Sequence, residues 1–528
     1  MLIYLVIIPI LLAVISYLFP NSRISKTIVV LSQCGLLIAA IVLFRQTTEA
    51  NVMVNIGRYS EYLGIVLRAD RLSAVFILLT IMIFLAVSVY NVRENSNRLF
   101  WFLLLTLEGI FIGLFVTRDI FNVFVLAEVS TVIVAVLLMY NRERRSMYDG
   151  IVYLIVNVIV MQFYLFGIGY LYMLTGSLDM RFGTELILQL PKEQLILPYA
   201  LIMTAIAAKS SLLPLFTFLP KIHSMRQAPV SVAVILSCLQ VKTGLYLFLR
   251  FRDMFSVINA TYFFLVIGII TALFGIIMAV AQKELKTLLA YSTIAQVGLI
   301  LVGLSLEGEY AYIGSIYHIT SHAIAKAILF LTAGIIVKAY NTSDLDQVRG
   351  VLRRMPITGI AIILAIFSMI GAPMFSGNIS KYFMMEGANL PLYAIMLLIN
   401  LGTIVVFMKY GCILFGHAKG ENQYQKVDYF KQTTDLLLGL ICLFGGIFGP
   451  QILNLMTGLS IEMNPISSLE KLGTMITSVI LGYVIYRYII RKNRTLETIG
   501  YLDLGMRQIM ISIGLFFCIT LVVTGFFL

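Results

Sequence analysis

The sequence predicts an all-α, polytopic membrane fold, and three observations carry that expectation. Of its 528 residues, 60% are hydrophobic and 12% charged, with a mean hydropathy of +0.97, against roughly 45–50% apolar and 25% charged in a soluble domain. The apolar residues form long runs, about 16 of them, each near the ~20 residues that cross a bilayer as a helix. Short polar connections separate these runs, so the chain reads as helix after helix with little room for a soluble domain.

The runs lie near residues 2–19, 27–45, 71–91, 99–117, 120–140, 149–174, 195–219, 229–250, 260–281, 286–305, 311–340, 357–383, 390–416, 434–457, 472–490 and 508–528. The first, MLIYLVIIPILLAVISYLF, lacks the basic leader and small-residue cleavage site of a secretory signal, so it is expected to stay as a helix. Most of the others are uninterrupted. Two are not. In the seventh, Pro214 follows Lys209, and an internal proline removes a backbone donor and frees a carbonyl, so a break is expected just after the lysine. In the twelfth, Gly371, Pro373 and Gly377 precede Lys381. Paired interruptions of this kind are the pattern of transporters built from inverted repeats. The seventh and twelfth segments are five apart, an odd number, so a repeat relating them must be inverted in the membrane.

Orientation follows from the loops, because cytoplasmic loops attract Lys and Arg. Loops after odd-numbered segments hold about 23 basic residues and those after even-numbered segments about 10. Both termini are therefore expected on the non-cytoplasmic side. The net charge of +12 reads as these basic loops and not as a nucleic-acid surface, since no basic patch with interleaved aromatics accompanies it. Cys34, Cys238, Cys412, Cys442 and Cys518 are scattered without CxxC spacing and read as small core residues. There is no GxGxxG or GxxxxGK[ST], so no dinucleotide or ATP site is expected. No cofactor, metal or catalytic centre is expected on this chain; any redox chemistry belongs to another.

Five lysines fall inside apolar runs: Lys209, Lys242, Lys326, Lys381 and Lys409. A mid-helix lysine costs about 2.5–3.5 kcal/mol to insert, so such residues face a polar interior and mark ion or proton paths. Glu128 and Glu108 share the feature. His318, His322 and Lys326 recur every fourth residue, on one helical face. Imidazole takes up and returns protons near neutral pH, and such a stripe can hold a chain of waters. Lys286 in AQKELKTLLAYS and His223 in LPKIH are further candidates. The alternative readings are a static Glu128–Lys209 pair, lysines snorkelling from helix ends, and core histidines bonded to carbonyls.

These residues sit in motifs that resemble the antiporter-like subunits shared by respiratory complex I, membrane-bound hydrogenases and Mrp-type sodium/proton antiporters. The motifs are LAEVS with Glu128, LLPLFTFLPKIH after Lys209, APVSVAVILSCLQVKTGLYLFLR, LKTLLAYSTIAQVGLI, HITSHAIAKAILFLTAG and GAPMFSGNISK, in the family's order over residues 70 to 420, approximately. The resemblance implies a core of about 14 helices with two inverted five-helix repeats; the last two helices, beyond about residue 460, exceed that core. It divides the chain into N-terminal helices (1–98), a first repeat (99–255), a second repeat (256–416) and C-terminal helices (417–528). It implies that Glu128 pairs with Lys209 and that the path runs through Lys242, His318, His322 and Lys326 to Lys381. The sequence departs from the family at Phe218 and at Pro214-Leu215-Phe216, and the connection near 491–507 leaves no room for a long lateral helix.

At 4 Å and an effective dielectric of 20, a Glu128–Lys209 pair is worth about 4 kcal/mol, so parting it favours proton release from the lysine. The expected function is a proton-translocating subunit of a multisubunit complex, lying in a prokaryotic inner membrane among other membrane subunits and lipid, and moving H⁺ with or without Na⁺. The alternatives are a self-sufficient Na⁺/H⁺ antiporter and a non-pumping scaffold.

Overall fold

The computed structural model describes the whole chain except residues 20–22, 59–63, 95–96, 224–227, 387, 418–427, 460–464, 492, 494–498, 501–503 and 527–528, and the side chains of 23, 58 and 465–471. Arg226, Lys419, Lys426, Lys492 and Arg494, counted above among the basic loops, lie outside the described residues, as does most of the 491–507 connection.

Among the described residues, 13 helices are long and apolar enough to cross a membrane. The remaining three of the expected runs are the short first helix and the two with internal breaks. The chain begins with α1 (Leu2–Leu18), α2 (Arg23–Glu49), α3 (Arg71–Asn91), α4 (Arg98–Val116), α5 (Ile120–Leu138) and α6 (Arg144–Thr175). A short amphipathic helix α7 (Met180–Ile187) then leads to α8 (Lys192–Lys209), which stops at its lysine and resumes as α9 (Phe218–His223). The next crossing joins α10 (Val230–Ile235) to α11 (Val241–Met254) through one π-helical turn, Leu236–Gln240. There follow α12 (Thr261–Ala281), α13 (Leu285–Leu304), α14 (Glu309–Tyr340), the single turn α15 (Val351–Arg354), α16 (Pro356–Ile370), α17 (Ser376–Glu386) and α18 (Leu390–Gly411). The last four are α19 (Tyr429–Ile447), α20 (Gly449–Thr457), α21 (Pro465–Val484) and α22 (Met506–Phe526).

Four details differ from the sequence reading. The run at 434–457 is two helices, because Pro450 starts α20 where an N–H is dispensable and breaks α19 from it. The amphipathic α7 is too short and too polar to register as a crossing. A hairpin pairs strand β1 (Val52–Asn55) with β2 (Val66–Ala69) between α2 and α3, its alternation hidden in a polar connection. Cys238 and Cys442 are buried, but Cys34 and Cys518 are exposed on the outer, apolar surface and are not core residues.

Two stretches of the chain repeat their hydrogen bonds residue for residue. Ile120 N donates to Leu178 O (2.9 Å) and Met180 N to Arg118 O (2.8 Å); at the start of α13, Leu285 N donates to Ser343 O (2.9 Å) and Leu345 N to Lys283 O (2.8 Å). The Asp119–Asp179 bridge has its counterpart in Glu284–Asp344. The two helix breaks match as well: Leu212 N reaches Ala207 O (3.0 Å) in one and Ala372 N reaches Phe367 O (2.8 Å) in the other. The first bridge lies after an even-numbered crossing and the second after an odd one, so the two are on opposite faces. That is an inverted repeat. The buried core runs through α10–α11 and α13, whose apolar windows are wholly enclosed. The face bearing the loops after α3, α5, α9, α12 and α14 is called the basic face below.

Candidate functional site

Each break frees polar groups in the interior. The first ends α8 so that Lys209 is its last helical residue, and Lys209 Nζ donates to Thr131 Oγ1 of α5 at 2.7 Å. Glu128 stands one turn earlier on α5, within electrostatic reach of Lys209. The direct Glu128–Lys209 ion pair expected from the sequence is not formed: Thr131 holds the ammonium, and Glu128 Oε1 is buried without a hydrogen-bond partner. Tyr153 of α6 adjoins this group, its ring 5.9 Å from that of Phe218.

The next lysine owes its setting to the π turn, whose altered bonding leaves a carbonyl available. Lys242, with no solvent exposure, donates to Ser237 O within that turn. Ser237 Oγ in turn lies 2.9 Å from His223 Nε2, and the His223 ring stacks on Phe330 at 4.6 Å. Gly244, one residue past Thr243, brings α11 against the α8 break: a Cβ there would collide with Ser210 Oγ.

On α14 the stripe of three is buried as a unit. Lys326 Nζ donates to Leu289 O (2.9 Å) and to Ser292 Oγ, both on α13. His322 has no hydrogen-bond partner on either ring nitrogen, and its ring centre is 6.2 Å from that of His318. His318 joins α14 to α17 through Ser380 Oγ (Nδ1, 2.8 Å) and to α13 through Gln296 Oε1 (Nε2, 2.9 Å). Lys242 is within electrostatic reach of His318, His322 and Lys326. The second break, where Gly371 turns the chain at φ 79°, exposes Met369 O to Lys381 Nζ (2.7 Å), which also donates to Asn400 Oδ1 of α18 (2.6 Å). A cavity of about 40 Å³ beside Lys381 is lined by Asn378, Asn400 and, from the C-terminal α21, Thr474 and Ser478.

Three further candidates stand apart. Lys409 donates to Val280 O (2.7 Å) and Gln282 O (2.6 Å) and so caps the end of α12. Glu108 is buried against α2, its Oε2 accepting from Gln33 Nε2 at 2.5 Å. Lys286 lines a cavity of about 640 Å³ on the basic face. The sequence reading missed the neutral partners Thr131, Ser237, Ser292, Gln296, Ser380 and Asn400; of these only Thr131, three residues from Glu128, stands at helical spacing from a buried ionisable residue on its own helix.

Fold and site together define a polytopic membrane protein with two inverted, broken-helix halves and a row of buried ionisable side chains between them. Residues 117–408 match the family described as NADH:quinone oxidoreductase/Mrp antiporter, TM, and the chain belongs to that family. It is 27% identical over 421 residues to the D component of the Na⁺/H⁺ antiporter of Alkalihalophilus pseudofirmus, covering 77% of this chain and 84% of that one. It is 33% identical over 343 residues to the N component of the NADH-quinone oxidoreductase of Desulforudis audaxviator, covering 61% and 66%. Among solved structures, a chain of the Mrp complex from Dietzia sp. superposes with a TM-score of 0.79 at 19% identity, over 91% of this chain and 99% of that one. The protein is integral to a membrane.

Proposed function

We propose that the chain is the proton-translocating, antiporter-like subunit of a multisubunit ion-pumping membrane complex, and that it works among other membrane subunits. One observation carries the reading: the interior lysines are held by carbonyls, hydroxyls and an amide, with no carboxylate among the described residues fixed to any of them. Lys326 and Lys381 each have two acceptors, and a neutral amine has two N–H groups to offer them. Each can therefore give up its third proton and keep both bonds. A static ion pair could not do this without leaving a charge uncompensated.

The relay starts at Glu128 and Lys209. When Glu128 approaches, the ammonium is stabilised; when it withdraws to its own side of Thr131, Lys209 releases a proton toward Lys242 across the close Gly244 contact. Lys242 passes it to the His318, His322 and Lys326 stripe, and Lys381 delivers it to the opposite face. The Glu128 movement is driven from a neighbouring subunit. Residues 99–255 and 256–416 are the two repeats, each carrying one broken helix, flanked by 1–98 and 417–528. The basic face is cytoplasmic, both termini lie opposite, and the membrane is a prokaryotic inner one.

The experiment is Lys209→Met in the assembled complex, reconstituted in vesicles. Coupled ion movement is expected to stop while assembly persists, and normal pumping would refute the relay. Sodium-gradient measurements on the same vesicles test whether Na⁺ is countertransported.

A further inference from the structure

Asp435 of α19 belongs to none of the groups above. It is 0% exposed, and neither of its carboxylate oxygens has a hydrogen-bond partner. A buried carboxylate in that condition either finds a cation or carries a proton. Lys431, one turn earlier on the same helical face, is turned away from it: its Nζ donates to Glu94 Oε1 of the α3–α4 connection and lies 4.8 Å over the Tyr90 ring. Glu94 also accepts from Lys338 at 3.3 Å. Tyr90, Glu94 and Lys338 line the 640 Å³ cavity on the basic face. Asp435 therefore lies just inward of a polar cavity wall.

The same face of α19 continues inward to Cys442, which lies beside the Ser368 and Ser376 hydroxyls. Ser376 Oγ is 2.7 Å from Ser321 Oγ, on α14 between His318 and His322. We propose that Asp435 is a proton-binding station on an auxiliary feeder line, which runs along α19 from the basic-face cavity to the serine cluster beside the α14 histidines. The Lys431 ammonium is its gate: paired with Glu94 it leaves the Asp435 carboxyl free to take a proton, and swung onto Asp435 it excludes one. The step moves one proton from the cavity onto an Asp435 oxygen, and Lys431 keeps its charge throughout. A metal cation is a poor occupant with that ammonium one turn away.

The groups that bear on Asp435 are Lys431 on its own helix and Tyr90 of α3; Glu94 and Lys338 act through Lys431, and Tyr317 of α14 lies further inward, by Cys442. The α16 helix offers no titratable side chain, and Lys381 of α17 is turned to Asn400. Burial alone would raise the Glu94 carboxyl, but the Lys431 and Lys338 ammoniums hold it below its ordinary value, so Glu94 keeps its charge and its hold on Lys431 at neutral pH.

This inference rests on the relay proposed above, and the test separates the two. In vesicles containing the intact complex, Asp435→Asn is expected to slow proton transport severalfold and to alter its pH profile, with Asp435→Glu recovering much of the rate. Glu94→Gln is expected to slow it as well, by releasing Lys431 onto Asp435. Infrared difference spectra of wild type with isotopically labelled aspartyl carboxyls should show a protonated carboxyl at neutral pH that changes during turnover. Wild-type rate and pH profile in Asp435→Asn overturn the proposal, as does the lack of that band in wild type, which decides the matter even where the Asn variant fails to assemble. Should Lys209→Met stop transport while Asp435→Asn does not, the feeder line falls and the relay stands.

Discussion

Thr403 donates its hydroxyl to Ile399 O at 3.0 Å, so it must accept from Gln296 Nε2 at 2.9 Å, and that orients the Gln296 amide with Oε1 toward His318. Nε2 of His318 is thereby the donor. Its Nδ1 faces Ser380, whose single hydroxyl proton can go either to Nδ1 or to Gly377 O, 3.0 Å away. Neutral His318 accepts from Ser380; the imidazolium donates to it while Ser380 turns to Gly377. Both charge states keep the two hydrogen bonds of His318, which is what a transfer group needs. Ser380→Ala should remove this freedom and slow transport by about 10- to 100-fold, the loss of one hydrogen bond to a charged group, with Ser380→Thr recovering it. An unchanged pH–rate profile in the alanine variant would show that His318 does not change charge in turnover. The ionisable residues were legible because a charge in an apolar run is conspicuous. Thr131, Gln296 and Ser380 were not, since hydroxyls and amides in membrane helices commonly bond their own backbone, as Thr204 does to Ala200 O.

Helix breaks matter through what they let approach. Gly244 faces the α8 break so closely that a Cβ would be 2.7 Å from Ser210 N and 2.9 Å from Lys209 C, contacts with backbone that cannot step aside. Gly244→Val should push α11 off the break, at a cost of about 1–3 kcal/mol for overpacking, and part Lys242 from Lys209. Transport is expected to fall far more than the thermal midpoint in detergent, whereas equal losses would assign Gly244 to packing alone. A second junction pins helix ends on the face opposite the basic one. Asp70 caps α3 through Ser73 N (2.9 Å) and takes two bonds from Arg250 of α11 (2.6 and 2.7 Å) and one from Arg118 (2.8 Å). Burial alone would raise the Asp70 carboxyl, but Arg250, Ser73 and Arg118 together hold it well below the usual carboxylate range. A depressed folded value means that this stabilisation is full above the unfolded pKa of about 3.9 and fades as pH falls toward the folded one. Asp70→Asn should cost about 2 kcal/mol at neutral pH, discounted for partial exposure, and the gap from wild type should narrow in acid melts; a constant gap would deny the linkage. The breaks were foreseeable from Pro and Gly. The π turn was not, because LSCLQ carries no proline or glycine to announce it.

Across the whole molecule, inversion places one broken helix in each half and a buried lysine at each break. Lys209 belongs to the first half and Lys381 to the second, with Lys242 and the α14 stripe between them. Two arrangements are compatible with such symmetry. If each half conducted by itself, the halves would work in parallel, and removing one lysine would leave about half the flux. The geometry favours a series path: Lys242, bonded to Ser237 O on its own helix, is within electrostatic reach of His322 and Lys326 on α14 of the second half, and His318 on α14 is hydrogen-bonded to Ser380, the neighbour of Lys381 in the chain. In a series path the flux is set by the weakest link, so Lys209→Met and Lys381→Met should each abolish proton movement. The double variant should then be no worse than either single one, the strong non-additivity of groups acting as a unit. Flux in vesicles carrying the three variants, normalised to assembled complex, discriminates cleanly. Residual flux of about half in each single variant, vanishing only in the double, would mean two independent conduits and would leave the α14 histidines without a role in joining them.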